Sequence, residues 1–406
     1  MTSPRIVSIQ TTSERGGAEY ANVDLLEALR LRGHDVRLVT NLPDLAAGTG
    51  LLVRPIDLGP KLSRRTVRAV ALDVPRVLWR LAGALWRERP VSATFVHFKK
   101  EQLLVALLPA RLTGRVVWAE WGPVPLPLRR GLPRWLYAAA GRRASAVLAV
   151  SEGTRQTVID AGVAPEKVTV MPNLIDIDAV SYDGDGRRAL RAQWGVSDDA
   201  FVVGCISRFQ RRKRNDVVID ALAGTSADVI LAMAGEGDEE DTLRRRAAPY
   251  RDRVRFVGSV RGIVESFISA CDVLVFAPSP TEGAPRVIVM AQLVGVPVIA
   301  TDPEGAAELI SSGTGTIVSP SHDPTALGEV LMQYRDDPAR REREATAARG
   351  RARARTARTT FAVGRSASAL TQRAQTLDLL VGEGPLGEPD GAPLGEHRRG
   401  PRDRER

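Results

Sequence analysis

The sequence predicts an α/β protein built from two doubly wound parallel sheets, and three observations lead there. Short runs rich in β-branched residues recur along the chain with amphipathic helical segments between them, the alternation that a parallel sheet covered on both faces requires. The alternation lapses in a polar stretch, Asp176–Gly195, and then restarts. The length of 406 residues suits two domains of roughly 150 residues each, with a remainder at the C-terminal end.

In order, the first half offers Ile6–Ile9 as an opening strand, Ala21–Arg32 as a helix and Val36–Thr40 as the second strand. Strands Ala93–Val96, Arg115–Ala119 and Ala146–Val150 follow, and a helix runs from about Glu152 to Ala161. Past the polar stretch the apolar runs are Phe201–Ile206, Asp216–Leu222, Val229–Ala234, Val254–Val257, Val273–Phe276 and Val296–Ala300, with helical segments between them. Residues 321–380 read as helical, and residues 382–406, rich in Gly, Pro and alternating charge, have almost nothing to bury and are expected to be disordered. The expected division is a Rossmann-like domain at 1–180, a linker at 181–198, a second Rossmann-like domain at 199–340, C-terminal helices at 341–381 and a tail at 382–406. The two domains face one another across a cleft.

Hydrophobic residues at 44% and charged residues at 26% exclude disorder throughout. The net charge of +9 invites a nucleic-acid or membrane reading. Its placement argues against nucleic acid: from residue 340 onward 15 cationic residues face 9 acids, leaving 42 against 39 in residues 1–339. Cys205 and Cys271 lie in apolar runs with no metal-knuckle or disulfide spacing, which fits a reducing cytoplasm. The chain opens on a strand, and the longest weakly polar run, Val287–Thr301, is too short to span a bilayer and contains Pro297. A cytoplasmic protein is expected, soluble or peripheral at the cytoplasmic face of a membrane.

In an open parallel sheet the ligand lies beyond the carboxyl ends of the strands. After the first strand comes Gly16-Gly17-Ala18-Glu19, where glycines admit close backbone approach and a helix begins; a tight turn is the plain alternative. After Phe201–Ile206 comes Ser207-Arg208-Phe209-Gln210-Arg211-Arg212-Lys213-Arg214, a cation cluster suited to a diphosphate or, equally, a solvated basic turn. After Val273–Phe276, the segment from Glu282 through Gly283, Ala284, Pro285 and Arg286 opens an apolar helix. Pro285 suits the first helical turn, whose free amides make an anion site, and Glu282 can meet ligand hydroxyls.

These residues carry a resemblance to glycosyltransferase family four, whose two Rossmann-like domains form the arrangement called GT-B. The matching segments are Ser207-Arg208-Phe209 with Lys213, Ala234-Gly-Glu-Gly237, Val254-Arg-Phe-Val-Gly258, Cys271-Asp272-Val273, Ser279-Pro-Thr-Glu282-Gly283, Gly295-Val-Pro297-Val298 and Glu308 with Gly313. In the first half they are Gly16-Gly17-Ala18-Glu19, Arg32-Gly33-His34-Asp35-Val36, Val150-Ser151 and Pro172-Asn173 with Asp176. The resemblance implies sugar transfer from a nucleotide diphosphate donor, a UDP- or GDP-sugar, to a hydroxyl acceptor with retention at the anomeric carbon, and no metal or further cofactor. By the same resemblance Arg208 and Lys213 hold the diphosphate, Val260 and its neighbours after Gly258 meet the base, Glu282 binds the donor sugar, and Gly16 and Gly17 close over the donor.

Two positions depart from the family pattern. Met290 stands where a second carboxylate meets the ribose, and Trp121 stands where the first domain carries a His. Glu120, at the end of an apolar strand, is a candidate to take over, with a structural pairing to an Arg as the alternative. His97 is a second acceptor-side candidate, although a lone His is more often structural. The departures also allow a catalytically impaired nucleotide-sugar-binding protein, and a sugar-nucleotide epimerase is a lesser alternative. Asp176-Ile-Asp178 and Asp183-Gly-Asp185 match a metal-binding pattern of single-domain transferases but fall in the polar stretch. Finally, residues 61–89 interleave Arg with Leu and Trp, a pattern for contact with anionic membrane or for an ordinary helix packed on the sheet.

Overall fold

The computed structural model describes residues 5–360 apart from residues 13, 61, 63–65, 176, 280–281 and 302. The first domain contains β1 (Arg5–Gln10), α1 (Gly17–Leu31), β2 (Asp35–Thr40), β3 (Leu52–Pro55), α2 (Val67–Arg87), β4 (Ala93–Val96), α3 (Lys99–Val105), α4 (Ala110–Thr113), β5 (Arg115–Glu120), α5 (Gly131–Gly141), β6 (Ala144–Ala149), α6 (Glu152–Asp160) and β7 (Val168–Val170). The second contains α7 (Gly184–Trp194), β8 (Phe201–Ile206), α8 (Asn215–Asp220), β9 (Val229–Ala234), α9 (Glu240–Ala247), β10 (Val254–Gly258), α10 (Val264–Ala270), β11 (Val273–Phe276), α11 (Arg286–Val294), β12 (Val298–Ala300), α12 (Pro303–Ala307), β13 (Thr316–Ile317), α13 (Pro324–Asp336) and α14 (Pro338–Thr360).

Both sheets are parallel, in the orders β3-β2-β1-β4-β5-β6-β7 and β10-β9-β8-β11-β12-β13. Their strands are near-continuous apolar runs because helices cover both faces. Leu81, Leu85, Tyr137 and Val158 from α2, α5 and α6 cover one face of the first sheet, and Leu25, Leu26 and Leu29 of α1 cover the other. In the second sheet Val218, Leu243 and Leu327 pack on one face and Phe267, Ile288 and Ala352 on the other. Each sheet builds outward from its first strand and then adds the next strand on the opposite side, so the switch points lie between β1 and β4 and between β8 and β11. Loops diverge there and leave a crevice.

The stretch expected to be a linker contains α7. Its buried side is Arg191 and Trp194 rather than an aliphatic stripe, which hid it from a periodicity argument. Arg191 is satisfied by the carbonyls of Ala270, Ser197, Asp198 and Ala200 and by Asp272 at 2.7 Å. Asp183 caps α7 by accepting the Gly186 amide at 2.9 Å, which gives one half of the supposed metal pattern a structural task. The run Asp216–Leu222 forms helix α8 and a following 3₁₀ turn, because consecutive buried Val217, Val218 and Ile219 read alike as strand or short helix. Strands β3, β7 and β13 form where the apolar pattern predicts none. The helical expectation for 321–380 is met by α13 and α14 as far as residue 360; the remainder and the tail lie outside the described residues, as does Asp176. No helix among the described residues is long and apolar enough to cross a membrane.

Candidate active site

The loop after β8 turns through Arg211–Lys213 in one 3₁₀ turn, and Arg214 takes a left-handed φ of 49°. Its position is set from below by the Gly235-Glu236-Gly237 segment. Gly235 has φ +145°, and a Cβ there would lie 1.9 Å from the Ser207 carbonyl oxygen. The Phe209 amide donates to the Glu236 carbonyl at 2.9 Å, and the Phe209 ring is buried. Only glycine lets the strand-end loop rest this closely on its neighbour.

Held this way, the cations converge on Glu282. Lys213 Nζ donates to Glu282 Oε1 at 2.7 Å, and Arg212 Nη1 to the same oxygen at 2.6 Å. Burial works to raise the Glu282 carboxyl, but Lys213 and Arg212 outweigh it and hold the group below the usual carboxylate range. Burial draws the Lys213 ammonium below the ordinary lysine value, with Glu282 opposing. Arg208 reaches across the crevice to within 2.5 Å of Glu14 Oε2 on the first domain.

The opposing wall is the start of α1. The Gly16 amide donates to Glu19 Oε2 at 3.0 Å, and Thr12 Oγ1 donates to Glu19 Oε1 at 3.2 Å, so the buried Glu19 fixes the glycine turn. A Cβ at Gly16 would stand 3.5 Å from the Arg208 guanidinium carbon, and one at Gly17 would stand 3.8 Å from Arg286 Cδ. The two glycines, Arg208 and Arg286 therefore share one crevice.

The segment leading into α11 also meets the first domain. A Cβ on Gly283 would lie 2.9 Å from Gly122 Cα and 2.9 Å from the Trp121 carbonyl oxygen. Asn173 Nδ2 donates to the Ala284 carbonyl at 2.5 Å. Pro285 is the N-cap of α11. Arg286 pairs with Asp24 at 2.7 Å and donates to the Leu174 carbonyl at 3.1 Å, so it bridges the domains. Beyond β10, Gly258 has φ +69° and its carbonyl accepts the Gly235 amide at 2.8 Å; Val260 buries its side chain. Glu308 accepts the Glu152 and Gly153 amides at the start of α6, at 3.0 and 2.7 Å, a third link between domains. Glu14 and Asp24 carry no local signal in the sequence, because the partner that gives each its place lies far away along the chain; Arg212 stands out there only as one of the cation cluster.

The acceptor-side residues part company. Glu120 is 2% exposed and bound by Lys99, by Gln102 Nε2 at 2.9 Å and by Tyr137 Oη at 2.7 Å. The expected cleft-facing role is corrected: the carboxylate is closed inside the domain, and its cation is Lys99 rather than an Arg. His97 is likewise interior, 6% exposed. Trp121 Nε1 donates to His97 Nδ1 at 3.3 Å, which leaves Nε2 to donate to Ser8 Oγ at 2.9 Å. Trp121 is half-buried, its ring stacks with His97 at 6.4 Å between centroids, and its carbonyl lies beside Gly283. Met290 packs on the apolar core of the second domain.

Burial pushes His97 from 6.5 down to about 3, so its ring is neutral in the fold. The unfolded chain takes up a proton below pH 6.5 that the native chain does not, and stability falls with acidification by about 1.4 kcal/mol per pH unit from this group. The stability deficit of His97→Asn should therefore shrink by that amount per unit between roughly pH 6 and pH 4. Urea unfolding at several pH values checks this, and a deficit independent of pH contradicts the assignment.

Comparison with known proteins agrees with this architecture. Residues 186–352 match the family described as glycosyl transferases group 1, and residues 15–179 match glycosyltransferase family 4. A D-inositol 3-phosphate glycosyltransferase of Kineococcus radiotolerans is 31% identical over 375 residues, covering 81% of this chain and 85% of that protein. A GDP-mannose-dependent monoacylated alpha-(1-6)-phosphatidylinositol monomannoside mannosyltransferase of Corynebacterium glutamicum is 35% identical over 180 residues, covering 41% of this chain and 46% of that protein, so the match spans about half its length. Among solved structures, Anabaena HepE in complex with UDP-glucose superposes with a TM-score of 0.75 at 22% identity, covering 92% of this chain and 99% of that one, a likeness of fold. Two parallel-sheet domains, both matched by their family descriptions, and a relative aligned over most of its length establish that the chain belongs to glycosyltransferase family four.

Proposed function

We propose that the protein transfers a sugar from a nucleotide diphosphate donor, a UDP- or GDP-sugar, to a hydroxyl acceptor with retention at the anomeric carbon. The observation that carries the reading is the convergence of Arg208, Lys213 and Arg212 with Glu282 at the β8–β11 switch point, opposite the Gly16–Gly17 turn. Arg208 pairs with Glu14, while Lys213 and Arg212 share Glu282, which leaves one positive charge in excess. A donor diphosphate would displace Glu14 from Arg208, and Glu282 would turn its free oxygen to sugar hydroxyls.

The chemistry follows from that charge arrangement. The bond from the anomeric carbon to the diphosphate breaks, the bond to the acceptor oxygen forms on the same face, and the acceptor proton passes to the departing phosphate oxygen. Negative charge grows on the leaving group, where Arg208, Lys213 and the first-turn amides of α11 stabilise it without a metal ion. Met290 offers the ribose no acceptor, so donor affinity rests more heavily on the diphosphate contacts. Support for transfer as such comes from the family and from the curated relatives, named as glycosyltransferases. Incubating the chain with UDP- and GDP-sugars and assigning the product anomer by NMR tests the reading. A product of the donor's own configuration is expected, and an inverted product contradicts retention.

The second part of the proposal concerns place. Helix α2 exposes Leu72, Trp79 and Trp86, seven residues apart and so on one face, at 85, 78 and 58%. Arg68, Arg76, Arg80 and Arg87 flank them. Such a ridge suits peripheral contact with an anionic membrane at the cytoplasmic face. Leu72→Glu with Trp86→Glu should abolish co-sedimentation with phosphatidylglycerol vesicles at low salt; no sedimentation of the parent chain overturns the membrane reading.

A further inference from the structure

The ridge on α2 borders a cavity. Between α2 and the edge strand β3 lies an open groove of about 660 Å³, a volume within the range of small-ligand sites. Its walls are chiefly apolar: Val39 and Ile56 on the sheet side, Trp79 and Ala84 on the helix. Among the described residues β3 is an edge strand with no strand beyond it. The space beside Gly83 is open, since a Cβ there would meet no atom within 4 Å.

The charges at the rim are unequal. Arg54 is committed to the buried Glu88 at 3.0 Å. Arg80 donates to the Asp57 carbonyl at 2.9 Å and stands 3.9 Å from that carboxylate. Arg87 is exposed and, among the described residues, has no carboxylate partner. An apolar trough with one uncompensated cation at its end matches an aliphatic chain carrying an anionic head.

We propose that this groove holds one acyl chain of an anionic membrane lipid, its head against Arg87. The inference rests in part on the membrane reading, because Trp79 belongs both to the exposed ridge and to the groove wall, so a chain leaving the bilayer beside the ridge enters the groove directly. The groove is separate from the proposed donor crevice: its lining includes none of Gly16, Gly17, Arg208, Lys213, Glu282 and Arg286. A lipid seated there would fix how the first domain lies on the bilayer and so how the crevice faces a lipid-linked acceptor.

The test titrates the full chain with monomeric doxyl-labelled palmitate, following tryptophan quenching and the spin-label spectrum. Saturable binding is expected. Gly83→Leu, which fills the groove, should weaken it about tenfold with no fall in Tm, and Arg87→Gln about threefold. Trp79→Phe should remove most of the quenching and leave the spin-label isotherm. No saturable binding, or a Gly83→Leu isotherm equal to that of the parent, overturns the proposal. The ridge variant Leu72→Glu with Trp86→Glu separates the two ideas, since it should lose vesicle binding and keep palmitate binding. If the parent sediments with vesicles but binds no palmitate, the groove fails and the membrane reading stands.

Discussion

Lys213→Ala should lower kcat for sugar transfer about 10²- to 10³-fold, a loss of roughly 3–4 kcal/mol in the transition state. The ammonium sits in a part of the crevice where its side chain is only 12% exposed, and charge is worth more there than in bulk water. On the proposed reading it faces the place where the departing diphosphate would gather negative charge, and it would then contribute more to the transition state than to the bound donor. The fold should survive, because Glu282 retains Arg212 at 2.6 Å and is not left as an unpaired buried carboxylate. Lys213→Arg restores the charge but not the geometry and should recover part of the rate. Steady-state kinetics with saturating donor, alongside thermal unfolding, checks both halves; an unchanged kcat in Lys213→Ala removes the lysine from the mechanism.

Gly283→Val should reduce kcat/KM by a comparable factor for a steric reason. The glycine packs against Gly122 and the Trp121 carbonyl of the other domain, where even a Cβ would stand 2.9 Å from backbone atoms. Backbone cannot yield as a flexible side chain does, so a valine holds the domains apart. Displacements of about 1 Å at reacting centres can cost two orders of magnitude. Binding of a free nucleoside diphosphate to the second domain should change little, because the cation loop and Glu282 are untouched by the wedge. Calorimetry with UDP or GDP and small-angle scattering separate the effects: retained binding with a larger radius of gyration is expected, and normal turnover shows that the contact is dispensable.

The sequence made the donor half legible because its signals are local. Arg208, Lys213, Gly283 and Pro285 each follow a strand, and position after a strand in a parallel sheet is itself information about the crevice. Gly235 and Gly237 stand out in the sequence only as part of a segment shared with the family, and what they support, the Ser207–Phe209 backbone, appears only in three dimensions. The first domain yielded less. Glu120 at a strand end looked available, yet Lys99, Gln102 and Tyr137 come from two other helices and no spacing announces that they meet. The contacts of Glu14 with Arg208, Asp24 with Arg286 and Glu308 with the start of α6 join distant parts of the chain, and single-sequence periodicity carries nothing about such pairs. Helix α7 was hidden for a related reason, since its buried side is an arginine satisfied by carbonyls.

On the proposed reading Arg208 and Lys213 form the cradle for a donor diphosphate. Calorimetric titration of UDP and GDP into the parent chain and into Arg208→Ala with Lys213→Ala tests it most directly. One of the two nucleotides should bind the parent, and its affinity should fall at least tenfold, about 1.4 kcal/mol, in the double variant. Equal binding to both proteins, or no binding of either nucleotide to the parent, would contradict it.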